Sequence, residues 1–330
     1  MIDTVYFEED ILEYPAVSQV KQALPKANWV PIERFQELFN IRNQNFRIQK
    51  KNPALILAKK YENFVLPVPS GFGMSSSKNF YFSHMYNCLY DCNYCFLQGL
   101  YSSANFVLFV NYEDFFEHIS QTIEKNKNDT QMFFSGYDCD SLAFDKVSGF
   151  SDNLIQFFEQ HPNVEVELRT KSIVTSSLLR RNPIKNCIIA FSLSPHIIAN
   201  KLDNKAPSIA RRIDAIKKLA DSGWQIGLRL DPLIYTKDWK NQYAELIFDI
   251  MSQVRVSSVH SVSYGLLRFP KKMYKKISTL HNDSGLFAFP MHENNEVVSY
   301  GEEIENDMYS FIQRELHKYL PETKIFHCTN

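Results

Sequence analysis

The sequence has no excess of charge of either sign. Its 36 lysines and arginines are balanced by 37 aspartates and glutamates, so the formal net charge is -1. Such a chain has no global attraction to nucleic acid, and a nucleic-acid partner must be bound by a local basic patch. The candidate patches, each also typical of a solvated surface, are RIQKKN (47–52), AKK (58–60), LRR (179–181) and RFPKKMYKK (268–276).

The sequence also lacks a membrane-spanning run and a framework of paired cysteines. No apolar run approaches the roughly 18 to 20 residues of a membrane span, and the first residues, MIDTVYFEEDILEYP, carry acids where a signal peptide carries bases. Cys139, Cys187 and Cys328 lie far apart along the chain, which favours reduced thiols over disulfides. We therefore expect a cytoplasmic protein without a membrane association, in which metal or redox chemistry explains the cysteines better than disulfides do.

Short apolar runs alternate with amphipathic helical patterns after a polar connector, SGFGMSSSK, at 70–78. Asn111 followed by Asp114 predicts a helix start, and Gly223 predicts the end of the helix SIARRIDAIKKLADSG. Regular alternation of strands and helices implies parallel strands with right-handed crossovers, hence an open or partial barrel with its chemistry at the carboxyl ends of the strands. The predicted strands are NFYFSHM, NFVLFVN, QMFFSG, VEVELRT, CIIAFSL, WQIGLRL and SVSYGLL.

Three cysteines, Cys88, Cys92 and Cys95, lie close together just after the first of these strands. Thiolates are soft ligands that suit zinc or iron-sulfur clusters. A structural zinc ion has four ligands, and His84 could complete a Cys3His site, although such sites commonly stabilise small domains that lack a core. Three thiolates would instead hold three irons of a 4Fe-4S cluster and leave the fourth iron open to a substrate or cosubstrate.

The spacing C-x3-C-x2-C, with Tyr94 before the last cysteine, resembles the signature of the radical S-adenosylmethionine enzymes. The resemblance extends further, because ILEYP, CxxxCxYCFLQ, FVNYEDF, TK (170–171), FSLS, RRIDAIKKLADSGWQIG, RFPKK and YLPETKIFHCT occur in an order similar to that of the spore photoproduct lyase family. It implies an α/β fold: a partial (β/α)6 barrel of radical S-adenosylmethionine type at 79–270, an N-terminal extension at 1–78, and a C-terminal substrate-side segment and helix at 271–330.

The resemblance also implies a chemistry. The open iron of a 4Fe-4S cluster is chelated by the amino and carboxylate groups of S-adenosylmethionine, whose reductive cleavage produces a 5′-deoxyadenosyl radical. In the family, that radical abstracts hydrogen from C6 of a methylene-bridged thymine dimer in DNA, the bridge breaks, and a cysteine returns a hydrogen to the product. The partners implied are damaged DNA and a flavodoxin- or ferredoxin-type reductant, and we expect a monomer.

Individual residues can be matched by position to the family. The three clustered cysteines resemble the iron ligands, while Tyr94 and the backbone of Phe96 match residues near the adenine. Lys171 matches the residue that pairs with the cosubstrate carboxylate, a suitable use of a lysine point charge. Ser192 matches a polar contact to the same molecule, and so does Cys139, which stands where the family has a serine.

The hydrogen donor is the first departure from the family pattern. When Asp140 is aligned with the family's aspartate, the donor position is occupied by Tyr137 and not by a cysteine. The tyrosine that usually follows the third cluster cysteine and is thought to relay the radical is Phe96 here. In an extended segment residues two apart face the same side, so Tyr137 and Cys139 are both candidate catalytic donors, with Cys139 favoured because thiols react faster with carbon radicals. A third possibility is that the reaction does not end with the return of a hydrogen. The plain structural interpretation of Cys139 is a small buried apolar side chain.

The second departure is the hairpin that precedes the last helix. The corresponding segment, 282–301, is shorter than in the family and carries Glu293 and Glu296, whose acids would repel phosphates. A basic stretch remains upstream, and its candidate nucleic-acid contacts are Arg268, Lys271 and Lys272.

The sequence therefore leaves three functional hypotheses. The leading hypothesis is a spore photoproduct lyase-like radical enzyme that splits a thymine dimer or acts on a pyrimidine in DNA. The second is a radical S-adenosylmethionine enzyme that modifies another nucleic acid, a nucleotide or a small molecule. The third is a zinc-stabilised binding protein with His84 as the fourth ligand.

Overall fold

The computed structural model describes residues 2–69, 73 and 77–328. The α-helices of these residues are α1 Pro15–Ala23, α2 Phe46–Lys51, α3 Leu97–Leu100, α4 Tyr112–Lys125, α5 Asp145–Ser148, α6 Phe150–Glu159, α7 Ser176–Leu179, α8 His196–Leu202, α9 Ile209–Asp221, α10 Trp239–Met251, α11 Lys271–Leu280 and α12 Glu302–His317. Short 3-10 helices lie at Glu9–Ile11, Phe35–Glu37, Val256–Ser258, Gly285–Ala288 and Glu322–Lys324. None of the helices in the described ranges is long and apolar enough to cross a bilayer.

The strands of the same residues are β1 Thr4–Glu8, β2 Asn28–Ile32, β3 Leu55–Ala58, β4 Leu66–Pro67, β5 Lys78–Phe82, β6 Met85–Tyr86, β7 Asp91–Cys92, β8 Phe106–Phe109, β9 Gln131–Ser135, β10 Glu165–Thr170, β11 Cys187–Ser192, β12 Asp203–Asn204, β13 Gln225–Leu233, β14 Val259–Leu266, β15 Phe269–Pro270, β16 His292–Asn294, β17 Val297–Ser299 and β18 Ile325–His327.

The main sheet is a curled half-barrel of eight strands in the order β18-β14-β13-β11-β10-β9-β5-β4. Its neighbouring strands pair in parallel, except that β4 is antiparallel to β5. Strands β5, β9, β10, β11, β13 and β14 correspond to six of the predicted apolar runs. The partial barrel predicted for the chain is therefore confirmed, and β18 extends it at one edge.

One predicted strand lies elsewhere. The run NFVLFVN forms β8, but β8 belongs to a second sheet with the order β2-β1-β3-β8-β6. There it pairs in parallel with β3 and antiparallel with β6. The N-terminal strands are thus hydrogen-bonded to strands that follow residue 78. The connector predicted at 70–78 falls mostly on residues outside those described.

The two predicted helix boundaries are confirmed. Helix α4 follows Asn111, whose side-chain amide donates to the Asp114 carboxylate at 2.6 Å and to the carbonyl of Lys60 at 2.8 Å. Helix α9 ends at Asp221, and Gly223 has a φ of 97°. This left-handed conformation suits glycine because it has no Cβ.

The main sheet has two different faces. One face packs on the helices in a large apolar core that includes Ile189 and Phe191 of β11. The opposite face carries a smaller apolar cluster and a buried ion pair in which Arg229 donates to Glu167 at 2.6 Å. Gly227 makes room for this pair, because a Cβ there would lie 2.7 Å from an Arg229 nitrogen.

The C-terminal segment closes over the loop of the three cysteines. Strands β15, β17 and β16 form a small antiparallel sheet, so the predicted hairpin is present in short form. Helix α11 packs on α3 at Gly99, where an added Cβ would lie 2.7 Å from the side chain of Met273. Lys276 of α11 donates to the carbonyls of Gly99 and Tyr101 at 3.1 and 2.8 Å.

Candidate active site

The cysteine loop is bound on one side by helix α2. The side chain of Asn45 caps this helix by accepting a backbone N–H at 3.0 Å. The helix directs two basic side chains at the loop. Arg47 donates to both carboxylate oxygens of Asp91 at 2.9 and 3.0 Å, and Lys50 donates to the carbonyl of Cys88 at 2.6 Å. The N-terminal part of the chain therefore positions the loop.

Segments that follow the loop in sequence also bind it. Strand β7 pairs antiparallel with β12, and the backbone N–H of Asn93 donates to Leu202 at 2.9 Å. Gln98 donates to the carbonyl of Cys92 at 2.8 Å and is hydrogen-bonded to His281 at 2.7 Å. Segments distant in sequence thus hold the cysteine loop in place.

The three cysteines of the loop are free, with Cys92 buried and Cys88 and Cys95 half-buried. Burial raises the pKa of Cys88 to about 12, raises that of Cys92 well above its usual value, and raises that of Cys95 as well. Two lysines oppose this effect: Lys50 lowers the pKa of Cys88 and Cys95, and Lys171 lowers that of Cys92 and Cys95. Metal binding would have to displace the thiol protons.

These thiols fit an iron-sulfur cluster better than a single ion. In the part of the chain that the structure describes, no three His, Cys, Asp or Glu side chains converge on one metal position. A structural zinc ion needs four such ligands at one point. A 4Fe-4S cluster whose fourth iron is open takes one thiolate on each of the other three irons, and soft thiolates are its usual ligands. The donor set of the loop matches the second case.

His84 lies in the core and does not join the thiols. Its ring stacks on Phe150 with centroids 3.8 Å apart and planes 6° apart. Burial lowers its pKa to about 3, and its Nδ1 atom has no hydrogen-bond partner among the described residues. The zinc hypothesis that used His84 as fourth ligand therefore lacks a converging ligand set.

Tyr94, Lys171 and Ser192, three of the five residues matched to the cosubstrate, lie together around a buried ion pair. The hydroxyl of Tyr94 donates to Asp203, which also accepts from Arg212 at 2.8 Å. Arg212 donates to the carbonyl of Ser192 at 3.0 Å, and the Lys171 ammonium lies 5.4 Å from the centre of the Tyr94 ring. Burial acts to raise the pKa of Asp203, but Lys171 and Arg212 outweigh it and hold that pKa below its usual range.

Asp203 and Arg212 were not identified from the sequence. Both side chains are at most 1% exposed. A signal did exist for Arg212, because it lies on the same helix face as the buried residues Ile209, Ile213 and Ile216. A charged residue on the apolar face of an amphipathic helix needs a buried partner.

Asp140 connects the ends of two barrel strands. Its carboxylate accepts from the hydroxyl of Thr170 at 2.6 Å and from the backbone N–H of Lys171 at 2.6 Å. It also accepts from the backbone N–H groups of Leu142 and Ala143 at 3.0 and 2.8 Å. These hydrogen bonds therefore fix the position of the Lys171 backbone, from which its side chain extends.

The segment that contains the two candidate donors is a turn, not an extended strand. Gly136 has a φ of 82°, and the N–H of Cys139 donates to its carbonyl at 3.4 Å. A Cβ at Gly136 would lie 2.5 Å from the hydroxyl of Ser141. The expectation that Tyr137 and Cys139 share one side of an extended segment is therefore wrong.

The turn places the two candidates in different surroundings. Tyr137 stacks on Tyr81 with ring centroids 4.3 Å apart and contacts Phe96 at 5.6 Å. Cys139 is 8% exposed, and its thiol accepts a hydrogen bond from the backbone of Met85. Burial, followed by the field of Cys88, raises the pKa of Cys139 well above its usual value, so its thiol retains the proton.

A buried polar network adjoins this turn, and sequence reasoning missed it. The Tyr101 hydroxyl is hydrogen-bonded to the Asp138 carboxylate, which also interacts with Ser83. Lys60 donates to the Tyr86 hydroxyl at 2.9 Å and lies in the field of Asp138. Burial raises the pKa of Asp138 and lowers that of Lys60 to about 8.

The three predicted nucleic-acid contacts do not form one basic surface. Arg268 is 10% exposed, donates to the carbonyl of Leu266 at 2.9 Å and pairs with Asp231 at 3.5 Å. Lys271 is half exposed but pairs with Glu293 at 2.7 Å. Lys272 is exposed at the start of α11.

Comparison with known proteins points to one family. The sequence model of the family described as spore photoproduct lyase matches residues 1–329. The spore photoproduct lyase of Geobacillus sp. (strain Y412MC61) is 22% identical over 279 residues, which are 81% of this chain and 79% of that protein. The spore photoproduct lyase of Bacillus subtilis (strain 168) is 21% identical over 279 residues, 81% of this chain and 78% of that protein.

Solved structures have the same fold. A spore photoproduct lyase variant with bound AdoMet and dinucleoside spore photoproduct superposes with a TM-score of 0.86 at 17% identity, covering 100% of this chain and 98% of that chain. A spore photoproduct lyase complexed with dinucleoside spore photoproduct gives a TM-score of 0.84 at 16% identity with the same coverage. The arrangement of strands and helices described above is therefore that of these enzymes.

Proposed function

Because the chain belongs to the spore photoproduct lyase family, we propose that it is a radical S-adenosylmethionine lyase that splits a thymine dimer in DNA. The family match over residues 1–329 carries the proposal. The site supports it, because the side chains of Tyr94 and Lys171 and the backbone of Ser192 lie around one buried ion pair beside the cysteine loop.

The cofactors of this proposal are a 4Fe-4S cluster and S-adenosylmethionine. Cys88, Cys92 and Cys95 would hold three irons, and the fourth would take the amino and carboxylate groups of the cosubstrate. When bound and reduced by one electron, the two supply the chemistry that removes a hydrogen atom from the substrate. A flavodoxin- or ferredoxin-type protein is the proposed electron source, and the enzyme is proposed to be a cytoplasmic monomer.

The residues around the cosubstrate bind and orient it. Lys171 supplies a positive charge for the carboxylate, and Asp140 holds the backbone from which this side chain extends. Tyr94 cannot swing freely, because its hydroxyl is tied to Asp203 and through it to Arg212. A ring held in this way can place an adenine reproducibly, which favours the reaction through orientation.

Cys139 is the proposed hydrogen donor. A donor of hydrogen atoms must carry its proton, and burial raises the pKa of this thiol well above its usual value. The S–H bond breaks, the hydrogen passes to the carbon radical of the thymine product, and the sulfur radical regains an electron from the reductant and a proton. Tyr137, stacked on Tyr81, is proposed instead to support a base of the lesion by stacking.

Nucleic-acid binding is proposed to be weak and salt-dependent. Lys272 is the exposed base of the predicted set, while Arg268 and Lys271 are each paired with an acid. A paired cation contributes less to phosphate binding, because the carboxylate repels the same phosphate. Recognition would therefore rest mainly on the lesion, which leaves the duplex more easily than an intact base.

The test uses anaerobically reconstituted enzyme with dithionite, S-adenosylmethionine and the dinucleoside spore photoproduct. Formation of thymine that depends on the cosubstrate supports the function, and no turnover of either dinucleoside or duplex substrate overturns it. For the donor, Cys139→Ala should give sulfinate adducts in place of thymine, whereas Tyr137→Phe should still give thymine. Cys187→Ala, which alters a buried thiol in β11, is the control. Clean thymine from Cys139→Ala would exclude it as donor.

A further inference from the structure

Lys50 is a buried cation that the proposed reaction has not used. Its side chain comes from helix α2 and is 4% exposed. Its ammonium donates to the carbonyl of Cys88 at 2.6 Å and lies 5.5 Å from the centre of the Phe106 ring. The backbone carbonyl of Lys50 is itself held by the ammonium of Lys205 at 2.7 Å. Both ends of the residue are therefore positioned.

No carboxylate neutralises this charge directly. Asp91, the acid of the same loop, forms its two-pronged ion pair with Arg47. Within the described ranges, no ion pair joins Lys50 to an Asp or Glu side chain. The thiols of Cys88 and Cys95 lie in its field. A buried ammonium is costly without a negative partner, and an anionic cluster bound by this loop would supply one in addition to the nearby Asp91.

We infer that Lys50 sets the reduction potential of the iron-sulfur cluster held by this loop, an inference that rests on the proposed function. A reduced cluster carries one more negative charge than an oxidised one. A cation fixed nearby in a medium of low dielectric therefore stabilises the reduced form more and raises the potential. Lys50 acts as a positioning residue through the ligands and touches no substrate.

The decisive variant is Lys50→Gln, because its amide can still donate to the Cys88 carbonyl but carries no charge. The midpoint potential is measured by titration with redox mediators, following the electron paramagnetic resonance signal of the reduced cluster. At the wild-type midpoint, the ratio of reduced to oxidised cluster should fall at least about tenfold, which is a shift of about 59 mV to more negative potential. Lys50→Arg retains the charge and should restore the wild-type potential.

Lys51→Gln is the matched control, because it removes the neighbouring, exposed charge of the same helix. Its potential should shift much less than that of Lys50→Gln. An unchanged potential in Lys50→Gln overturns the inference, and so does an equal shift in Lys51→Gln or in Lys50→Arg. Iron analysis and the melting temperature of the apoprotein check the fold, and Lys50→Met replaces Lys50→Gln if that variant loses iron. Loss of iron from both overturns the inference in favour of a structural role.

The two proposals fail in different ways. The potential is measured without substrate, so an enzyme that repairs no thymine dimer can still show the Lys50 effect. A wild-type protein that binds no cluster under reconstitution contradicts the proposed function itself.

Discussion

Replacing Lys171 by methionine should weaken binding of S-adenosylmethionine without releasing iron. The backbone of this residue is held by Asp140 at 2.6 Å, a contact that the substitution keeps. Methionine retains an apolar stem of similar length, so the loss is confined to the charge that lies over the Tyr94 ring. Asp203 keeps its partner Arg212 at 2.8 Å, and the buried acid is not left unpaired.

The magnitude follows from the loss of one charge-assisted contact to the cosubstrate carboxylate. Such a contact contributes about 1.5 to 3 kcal/mol, so the dissociation constant should rise roughly ten- to a hundredfold. Lysine at this position also helps to hold the pKa of Asp203 low, and its removal should let that pKa rise.

Calorimetric titration of anaerobically reconstituted protein measures the binding. Lys171→Arg keeps the charge and should bind more tightly than Lys171→Met, while Lys218→Ala removes an exposed lysine of α9 and should bind as the wild type does. An unchanged dissociation constant in Lys171→Met would refute the role given to the charge. Loss of iron would show that this lysine maintains the loop instead.

Three further changes have defined outcomes. Replacing a loop cysteine, as in Cys92→Ala, should abolish iron binding and cleavage of the cosubstrate, whereas His84→Ala should keep its iron; iron loss in the histidine variant would contradict the three-thiolate assignment. Burial lowers the pKa of His84 to about 3 in the folded state, so as the pH falls this histidine is protonated in the unfolded state before it is protonated in the folded state. The free energy of unfolding should then decrease by about 1.4 kcal/mol per pH unit from pH 6.5 to pH 4, and urea denaturation of His84→Leu should show a flatter profile; equal slopes would be evidence against it. Glu293→Gln removes the acid that pairs with Lys271 and should tighten binding of duplex DNA. The plot of the logarithm of the binding constant against the logarithm of the salt concentration should become steeper by about one phosphate contact. Fluorescence anisotropy titrations that show no change would exclude a contact between Lys271 and phosphate.

Tyr137 and Cys139 show that a position along the sequence does not fix the geometry. Both lie in the segment that follows β9, and their assignment as hydrogen donors stays a prediction. The idea that they face the same side depended on an extended backbone. Gly136, with a φ of 82°, turns the chain, and the two side chains then enter different surroundings.

The sequence did not predict that the charge of Arg268 is largely buried and paired. Arg268 lies in the basic run RFPKKMYKK, which suggests an exposed patch. Its partner Asp231 lies on strand β13, and only the fold brings the two to 3.5 Å. Nothing local in the sequence distinguishes it from Lys272, which is exposed.

The sequence by itself determined the features that depend on neighbours along the chain. Apolar periodicity predicts the six barrel strands and Gly223 predicts a helix end, because each of these is a local requirement of the backbone. The assignment of Cys88, Cys92 and Cys95 as cluster ligands stays a prediction. The tertiary structure alone decided that β8 joins the N-terminal sheet, that Asp203 and Arg212 hold Tyr94, and that Lys50 donates to the Cys88 carbonyl. These contacts join segments far apart in sequence, where position depends on the packing of the whole chain.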